Sequence, residues 1–232
     1  MNKLVETELF ALLLATGSYV LAVALYKKTK IGILHPLITS IALIITVLKL
    51  LAIDYPTFKE GTRFIHFLLG PSVVALGYVL YQQMQYIKGN VVSILTAIFV
   101  GSVVGILSVA FIGTWMGADA TLIATLQPKS VTTPIAMDIS RNTGGIPSLT
   151  AIVVVLVGLF GSVAGPFVLK ALGIESRIAK GLALGASSHG IGTSVALQIG
   201  AIEGALSGLA IGLMGVITAV MIPIVKYVME LF

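Results

Sequence analysis

The hydrophobic pattern of this chain is that of an all-α, polytopic membrane protein. Mostly apolar runs recur along the sequence, each near the length of about 20 residues that a helix needs to cross the hydrocarbon core. Seven spans are predicted, at residues 7–26, 33–53, 64–82, 91–113, 148–170, 178–199 and 205–226. Between the fourth and the fifth lies a polar stretch, residues 117–145, that does not suit a lipid-facing helix.

The polar stretch concentrates charges, prolines and hydroxyl groups in a chain that is otherwise mostly hydrocarbon. Its centre reads QPKSVTTPIAMDISRN, at residues 127–142. A bilayer tolerates such a segment only where it is buried in protein or lines a wet cavity, and charges there mark a pathway or a binding site. We expect a re-entrant hairpin with one arm at 119–126, a break at Pro128 and a second arm at 130–140.

An ordinary extramembrane loop is the alternative for this stretch, and it would leave Lys129 and Arg141 solvated. A polar loop does not usually carry apolar residues at mixed helical spacing. Such residues are present here, namely Val131, Ile135, Ala136, Met137 and Ile139. The hairpin is therefore the preferred interpretation.

Composition supports a membrane domain. The chain is 57% hydrophobic and 10% charged, whereas soluble domains carry about 25% charged residues. It has no cysteine, which excludes disulfides, thiolate chemistry and Cys-ligated metal. The net charge is +5, and the Lys and Arg residues form short clusters between apolar runs. Such clusters are typical of the loops of membrane proteins rather than of a nucleic-acid-binding surface. The first apolar run is long enough to span, so no cleavable signal peptide is predicted.

Basic residues in short loops predict the orientation in the cell membrane. They follow the first, third, fifth and seventh spans, at Lys27, Lys28, Lys30, Lys88, Lys170, Arg177, Lys180 and Lys226. All lie on one side if residues 117–145 re-enter, which places the N-terminus outside and the C-terminus in the cytoplasm. If residues 117–145 cross instead, giving eight crossings, the cluster from Lys170 to Lys180 moves outside and the charge bias is lost.

A weak internal repeat predicts an inverted arrangement within one membrane domain, residues 1–232. The tetrapeptide LTAI at 95–98 recurs at 149–152, inside candidate units 64–113 and 117–170. Inverted repeats whose broken helices meet near the midplane are a recurrent plan of secondary transporters. Chance matching in a sequence of low diversity is the alternative.

Helix interruptions supply the candidate binding residues. Pro71 breaks the third span, so a half-helix would start at Ser72 and offer free N–H groups to an anion; a satisfied proline kink is the alternative. In the sixth span two glycines flank His189, with Thr193 one turn further on. The imidazole suits anion binding or proton relay, although a neutral His bonded to a neighbouring helix is the alternative.

The polar stretch adds side chains that can bond a carboxylate. These are Lys129, Ser130, Thr132, Thr133, Arg141 and Asn142. Asp138 is the candidate for a coupling proton or cation, and its spacing to Arg141 also permits an ion pair on one helix face.

Other features are assigned structural roles or exclude functions. Glycines at every fourth position from 200 to 212 predict a ridge for close helix packing. Glu203 beside them is expected to be a snorkelling surface carboxylate. Since no nucleotide loop, metal cluster or nucleophile motif is present in the sequence, we expect no enzyme activity, no metal and no cofactor.

Four blocks together resemble the LrgB/CidB family of bacterial membrane proteins. They are FLLGPSVVALGYVLY at 67–81, PKSVTTPIAMDIS at 128–140, GASSHGIGTSVAL at 185–197 and EGALSGLAIGLMGVITAVMIP at 203–223. The resemblance covers nearly the whole chain. Family members often have a basic residue after the Gly-Thr pair and an acid shortly beyond it. This chain has Val195 and Gln198 there and thus departs from the family pattern at that pair.

The resemblance implies two functions. Bacterial members are often named antiholin-like, modulators of murein hydrolase activity and lysis, and act with a smaller LrgA/CidA-type membrane partner. A related plastid protein translocates glycolate and glycerate, and some bacterial pairs are linked to pyruvate uptake. We therefore expect a homo-oligomeric transporter, or transporter subunit, for a small monocarboxylate. An antiholin-like regulator without a substrate site and a passive channel are the alternatives.

Overall fold

The fold is described from a computed structural model. It describes residues 7–29, 34, 36–68, 71, 74–75, 78, 81–82 and 84–229. Within those ranges all regular secondary structure is helical, which confirms the all-α prediction.

The chain divides into two compact units, residues 1–75 and 76–232. The first contains α1 (Glu8–Thr29), α2 (Pro36–Leu50), α3 (Tyr55–Gly61) and α4 (Arg63–Phe67). Helix α1 packs on α2 and α3. A Cβ on Gly61 would lie 2.6 Å from the Ala11 Cβ, so the absence of a side chain permits this contact. The chain bends by 119° between α2 and α3.

The second unit holds the predicted functional segments. Its helices are α5 (Met84–Lys88), α6 (Val91–Trp115), α7 (Ala120–Leu126), α8 (Thr133–Thr143), α9 (Pro147–Ala171), α10 (Arg177–Ile199) and α11 (Ala201–Met229). Its hydrophobic core joins residues from α6, α8, α9, α10 and α11, with Ala136, Val154 and Leu206 each at 0% exposure.

Helices α7 and α8 form a helical hairpin, called the first hairpin below. Asp119 caps α7 by accepting the Leu122 N–H at 2.7 Å. The chain leaves the helix after Leu126 and turns through residues 127–132, which confirms the predicted break at Pro128. Helix α8 ends at Gly144, whose φ of 87° suits glycine.

Helix α10 folds back on itself and is called the second hairpin below. At His189 the backbone has φ 42° and ψ −133°, which interrupts the helix. Before this point Gly181 faces Glu203 and Gly185 faces Ser207, so residues 177–188 run in the same direction as α11. After it, Thr193 contacts Ser207 and Leu197 contacts Gly204, so residues 190–199 run back toward the start of α11.

The second hairpin replaces the predicted sixth span, residues 178–199. At 1.5 Å per residue its first arm is about 18 Å long, and a bilayer core is about 30 Å thick. Each arm is therefore too short to cross.

The predicted count of seven spans is more than the described residues show. Four of their helices are long and apolar enough to cross a membrane, or up to five if α2 and α3 form one bent span. Besides the second hairpin, the difference lies in the predicted third span, residues 64–82, which falls partly outside the described residues.

The two hairpins lie at opposite ends of α11. Thr143, at the end of the first hairpin, accepts a hydrogen bond at 3.1 Å from Lys226 Nζ, near the end of α11. Arg177, at the start of the second hairpin, lies 3.6 Å from Glu203 in the first turn of α11. Arg177 and Lys226 therefore lie at opposite ends of α11, so a crossing by α11 would place them on opposite membrane faces, whereas the sequence predicts one face for both. The membrane orientation stays a prediction.

Each hairpin is followed by a long helix, α9 after the first and α11 after the second. Residues 120–171 and 177–229 thus present the same order of elements, with hairpins that enter from opposite ends. The repeat predicted from sequence, 64–113 against 117–170, stays a prediction because its first unit lies partly outside the described residues.

Candidate functional site

The tip of the first hairpin brings several predicted ligands together. Lys129 is half-buried, and its Nζ donates to Ser130 Oγ at 3.3 Å. Thr132 holds the extended N-cap position of α8, where its side chain makes no capping bond, and Thr133 begins the helix. The first turn of a helix leaves N–H groups without intrahelical partners. The Lys129 ammonium, the hydroxyl groups and the N-terminus of α8 are therefore suited to binding an anion.

The tip of the second hairpin holds the other predicted residues. His189 is 5% exposed, and its Nε2 lies 3.0 Å from the Val154 carbonyl oxygen. A carbonyl can only accept, so Nε2 carries the proton and Nδ1 is the second polar atom of the ring. Thr193 Oγ1 donates to the His189 carbonyl at 3.0 Å and lies 2.7 Å from Ser207 Oγ.

The contacts along two long helices place both tips at the same depth. Ile135 of the first hairpin lies against Gly215 of α11, and Gly185 of the second hairpin lies against Ser207 of α11. When each arm is continued to its tip, the two tips fall within about one turn of each other along α11, near residues 210–214.

Helix α9 gives the same result. Thr150 of α9 contacts Ser140, which lies about 10 Å along α8 from the tip of the first hairpin. Val154, one turn further along α9 in the direction of that tip, contacts His189. Two independent registers therefore place the two tips at about the same level along α9 and α11.

Three predicted residues lie away from the tips. Arg141 and Asn142 are exposed near the base of the first hairpin, about 12 Å along α8 from Thr133. Asp138 pairs with Arg141 at 2.9 Å, which confirms the predicted ion pair, and both side chains are mostly exposed. Ser72 lies outside the described residues.

A cavity of about 510 Å³ flanks the first hairpin from its base to its turn. It is lined by Thr114, Thr121, Gln127, Thr143 and Lys226 among others. Gln127 is only 6% exposed. Sequence reasoning did not select it, although it is the amide next to the break at Pro128. The cavity offers hydroxyl, amide and ammonium groups on the route toward the tip.

Three buried hydroxyls hold the first hairpin against α9. Thr125, Ser140 and Thr150 are each 0% exposed. Thr150 Oγ1 lies 2.8 Å from Ser140 Oγ and 3.0 Å from the Thr125 carbonyl oxygen. The Ile146 N–H donates to Thr125 Oγ1 at 2.9 Å. These polar atoms are paired with one another, as buried polar groups must be, so their role is to fix the hairpin.

Glu203 is not the snorkelling surface carboxylate predicted from sequence, because it is only 3% exposed. Its Oε1 lies 3.6 Å from Arg177 Nε, and its Oε2 has no hydrogen-bond partner among the described residues. The carboxylate folds over Gly200, which has no side chain to block it. The glycine ridge beside it packs unevenly: Gly204 meets Leu197, whereas no atom lies within 4 Å of the Cβ position at Gly212.

These features define a multi-pass α-helical membrane protein with two opposed helical hairpins. The model of the LrgB-like family matches residues 15–228, and the chain belongs to this family. It is 35% identical over 220 residues to the uncharacterized protein YxaC of Bacillus subtilis, covering 95% of this chain and 96% of that one. It is 32% identical over 218 residues to the antiholin-like protein LrgB of Bacillus cereus, covering 94% and 95%.

A further relative, an uncharacterized protein of Haemophilus influenzae, is 34% identical over 205 residues, covering 88% of this chain and 89% of that one. No solved structure shows significant similarity to the chain.

Proposed function

We propose that this protein is a transporter, or a transporter subunit, for a small monocarboxylate of the pyruvate or glycolate type. The observation that carries the proposal is that two hairpin tips lie at about the same level along α9 and α11, one bearing Lys129 and the N-terminus of α8, the other bearing His189. Irregular backbone at membrane depth is tolerated where it lines a cavity, and opposed broken helices are a recurrent way to build a transport site.

Each group at the tips has a role in this proposal. Lys129 and the first turn of α8 hold the carboxylate, because both present positive charge or N–H donors at one point. Ser130, Thr132 and Thr133 bond the remaining oxygens. His189 and Thr193 close the site from the second hairpin. Arg141 and Asn142, at the exposed base of the first hairpin, attract the anion toward the cavity beside Gln127 rather than bind it at the tip.

Orientation follows from the basic residues that lie at the second-hairpin end of the molecule. Residues 90–101 of α6 line a groove with residues 176–186, so Lys88 belongs at the same end as Lys170, Arg177 and Lys180. By the positive-inside rule that end faces the cytoplasm. The end of α11 then faces the opposite side, which reverses the orientation expected for the C-terminus.

Uptake of labelled pyruvate and glycolate into proteoliposomes tests the proposal. Lys129→Ala removes a charge-assisted bond of about 1.5–3 kcal/mol, so uptake at low substrate should fall about ten- to a hundredfold. Lys129→Arg should retain part of it, and Lys88→Ala, at an exposed position, should retain all of it. Unchanged uptake in Lys129→Ala would remove Lys129 from the mechanism.

The names of several relatives favour a second function, that of an antiholin-like regulator. In this case the protein binds a small LrgA/CidA-like membrane protein and controls its assembly, without a substrate site of its own. Co-purification with such a partner, together with no melting-temperature shift in any small carboxylate, would favour regulation. A concentration-dependent shift would favour transport, because ligand binding to the folded state stabilises it.

A further inference from the structure

The second hairpin is anchored by a buried acidic residue that the tip site does not use. Glu203 lies in the first turn of α11 and is 97% buried, since its exposure is 3%. Oε1 faces Arg177 at 3.6 Å, longer than a hydrogen bond, and Oε2 has no partner among the described residues. A buried carboxylate with one oxygen unpaired is unfavourable as an anion.

The corresponding position after the first hairpin has a different chemistry. Thr150 lies in the first turn of α9, directly after the first hairpin, and fixes that hairpin through a neutral hydroxyl. Glu203 lies in the first turn of α11, directly after the second hairpin. The two hairpins are thus held at matching places, one by bonded hydroxyls and the other by an ionisable group. Only the second attachment can change with protonation.

The charged groups around Glu203 come from two helices. Arg177 faces it from the first arm of α10. The second arm, residues 190–199, and the rest of α11 before Lys226 contain no titratable residue. Lys170, Glu175 and Lys180 line a cavity of about 310 Å³ together with Ile199, at the base of the same hairpin, and Glu203 is not part of its lining.

We propose that Glu203 is the proton-binding site that couples carboxylate movement to a proton gradient by controlling how the second hairpin docks on α11. This inference rests on the proposed transport function. A proton from water binds to the carboxylate and makes it neutral, the attraction to Arg177 is lost, and Arg177 turns to solvent, where most of its side chain already lies. Release of the proton restores the ion pair, so one proton enters and one leaves in each cycle.

Glu203 is a better coupling site than Asp138, the candidate selected from sequence. The Asp138 side chain is 70% exposed and bonded to Arg141, so its charge is solvated and compensated. A change in protonation there would alter little, because exposed ion pairs contribute about 0–1 kcal/mol. At Glu203 the same change removes a buried charge from the attachment of a helix hairpin.

Two transport measurements in proteoliposomes separate coupling from substrate movement. Exchange of labelled pyruvate against internal pyruvate needs no gradient, whereas accumulation driven by an inward proton gradient does. For one proton per carboxylate, a gradient of about one pH unit supports about tenfold accumulation. Glu203→Gln, which mimics the protonated form, should retain exchange and lose accumulation. Glu175→Gln, at an exposed position nearby, should retain both.

The outcomes distinguish this inference from the proposed function. Absence of exchange in the unchanged protein would contradict transport itself. Exchange in the unchanged protein combined with full accumulation in Glu203→Gln would overturn the role of Glu203 and leave transport intact. Arg177→Gln supplies a second variant that retains the carboxylate. Without the cation, docking of the second hairpin no longer depends on this ion pair, so exchange should persist and accumulation should fall; full accumulation in Arg177→Gln would count against the proposal.

Proton binding can also be observed without transport. Difference infrared spectra between alkaline and acidic samples should contain the C=O band of a protonated carboxyl group that disappears in Glu203→Gln and persists in Glu175→Gln. Identical spectra for the unchanged protein and Glu203→Gln would show that Glu203 takes up no proton, whatever the substrate.

Discussion

Gly158 allows His189 of the second hairpin to approach α9 closely. A Cβ on Gly158 would lie 2.6 Å from His189 Cε1 and 2.8 Å from Nε2. Gly158→Ala should therefore displace the imidazole from Val154 and destabilise the protein by about 1–3 kcal/mol, as overpacking of a well-packed site does. The measurement is thermal or denaturant unfolding in detergent.

Gly105 provides the matched control for that substitution. It lies inside α6, and no atom is found within 4 Å of its Cβ position. Gly105→Ala should leave stability unchanged or raise it by up to about 1 kcal/mol, because alanine is the better helix former. Equal effects at Gly158 and Gly105 would mean that the close contact with His189 does not exist.

At the scale of elements, the first hairpin depends on the hydroxyl that joins it to α9. Thr150→Val keeps the shape of the side chain but leaves the Ser140 hydroxyl and the Thr125 carbonyl without their partner. The expected loss is about 1–3 kcal/mol of unfolding free energy. Thr46→Val is the control, because Thr46 is exposed and bonds only the Ala42 carbonyl of its own helix. A neutral Thr150→Val would show that this hairpin is held in another way.

The first hairpin was predictable from sequence, and the second was not. Charges and prolines between 127 and 142 interrupt an apolar chain, so a break there follows from composition. Residues 178–199 have the length and overall apolar character of a span, and the reversal depends on a positive φ at His189, which is uncommon for any residue other than glycine. A hydropathy profile reflects side-chain polarity alone and therefore does not detect such a reversal of the backbone.

The burial of Glu203 was also hidden in the sequence. A carboxylate near the end of an apolar run usually snorkels to the interface. Here the backbone of α11 approaches α10 closely because Gly181 and Gly185 have no side chains, and this contact encloses the first turn of α11. Burial is thus set by a partner helix more than 15 residues away in sequence, whereas the sites at Lys129 and His189 are apparent from local composition.

At the scale of the whole molecule, the reversal at His189 changes the expected membrane arrangement. If residues 178–199 crossed, Arg177 and Lys226 would share a face, since two crossings would separate them. With a hairpin there, α11 alone separates the two residues, so a crossing by α11 would place them on opposite faces. A single backbone conformation therefore changes the expected number of crossings by one.

Single-cysteine labelling can test this arrangement directly, because the chain contains no cysteine. Glu175→Cys and Ser148→Cys lie in exposed positions at the second-hairpin and first-hairpin ends, respectively. In sealed right-side-out vesicles, a membrane-impermeant maleimide should label Ser148→Cys at once and Glu175→Cys only after permeabilisation, because the proposed orientation puts the basic cluster near Glu175 in the cytoplasm. Inverted vesicles should give the reverse. Labelling of both positions from one side would mean that one of the two hairpins crosses the membrane, and the placement of both tips at one level within the membrane would no longer follow.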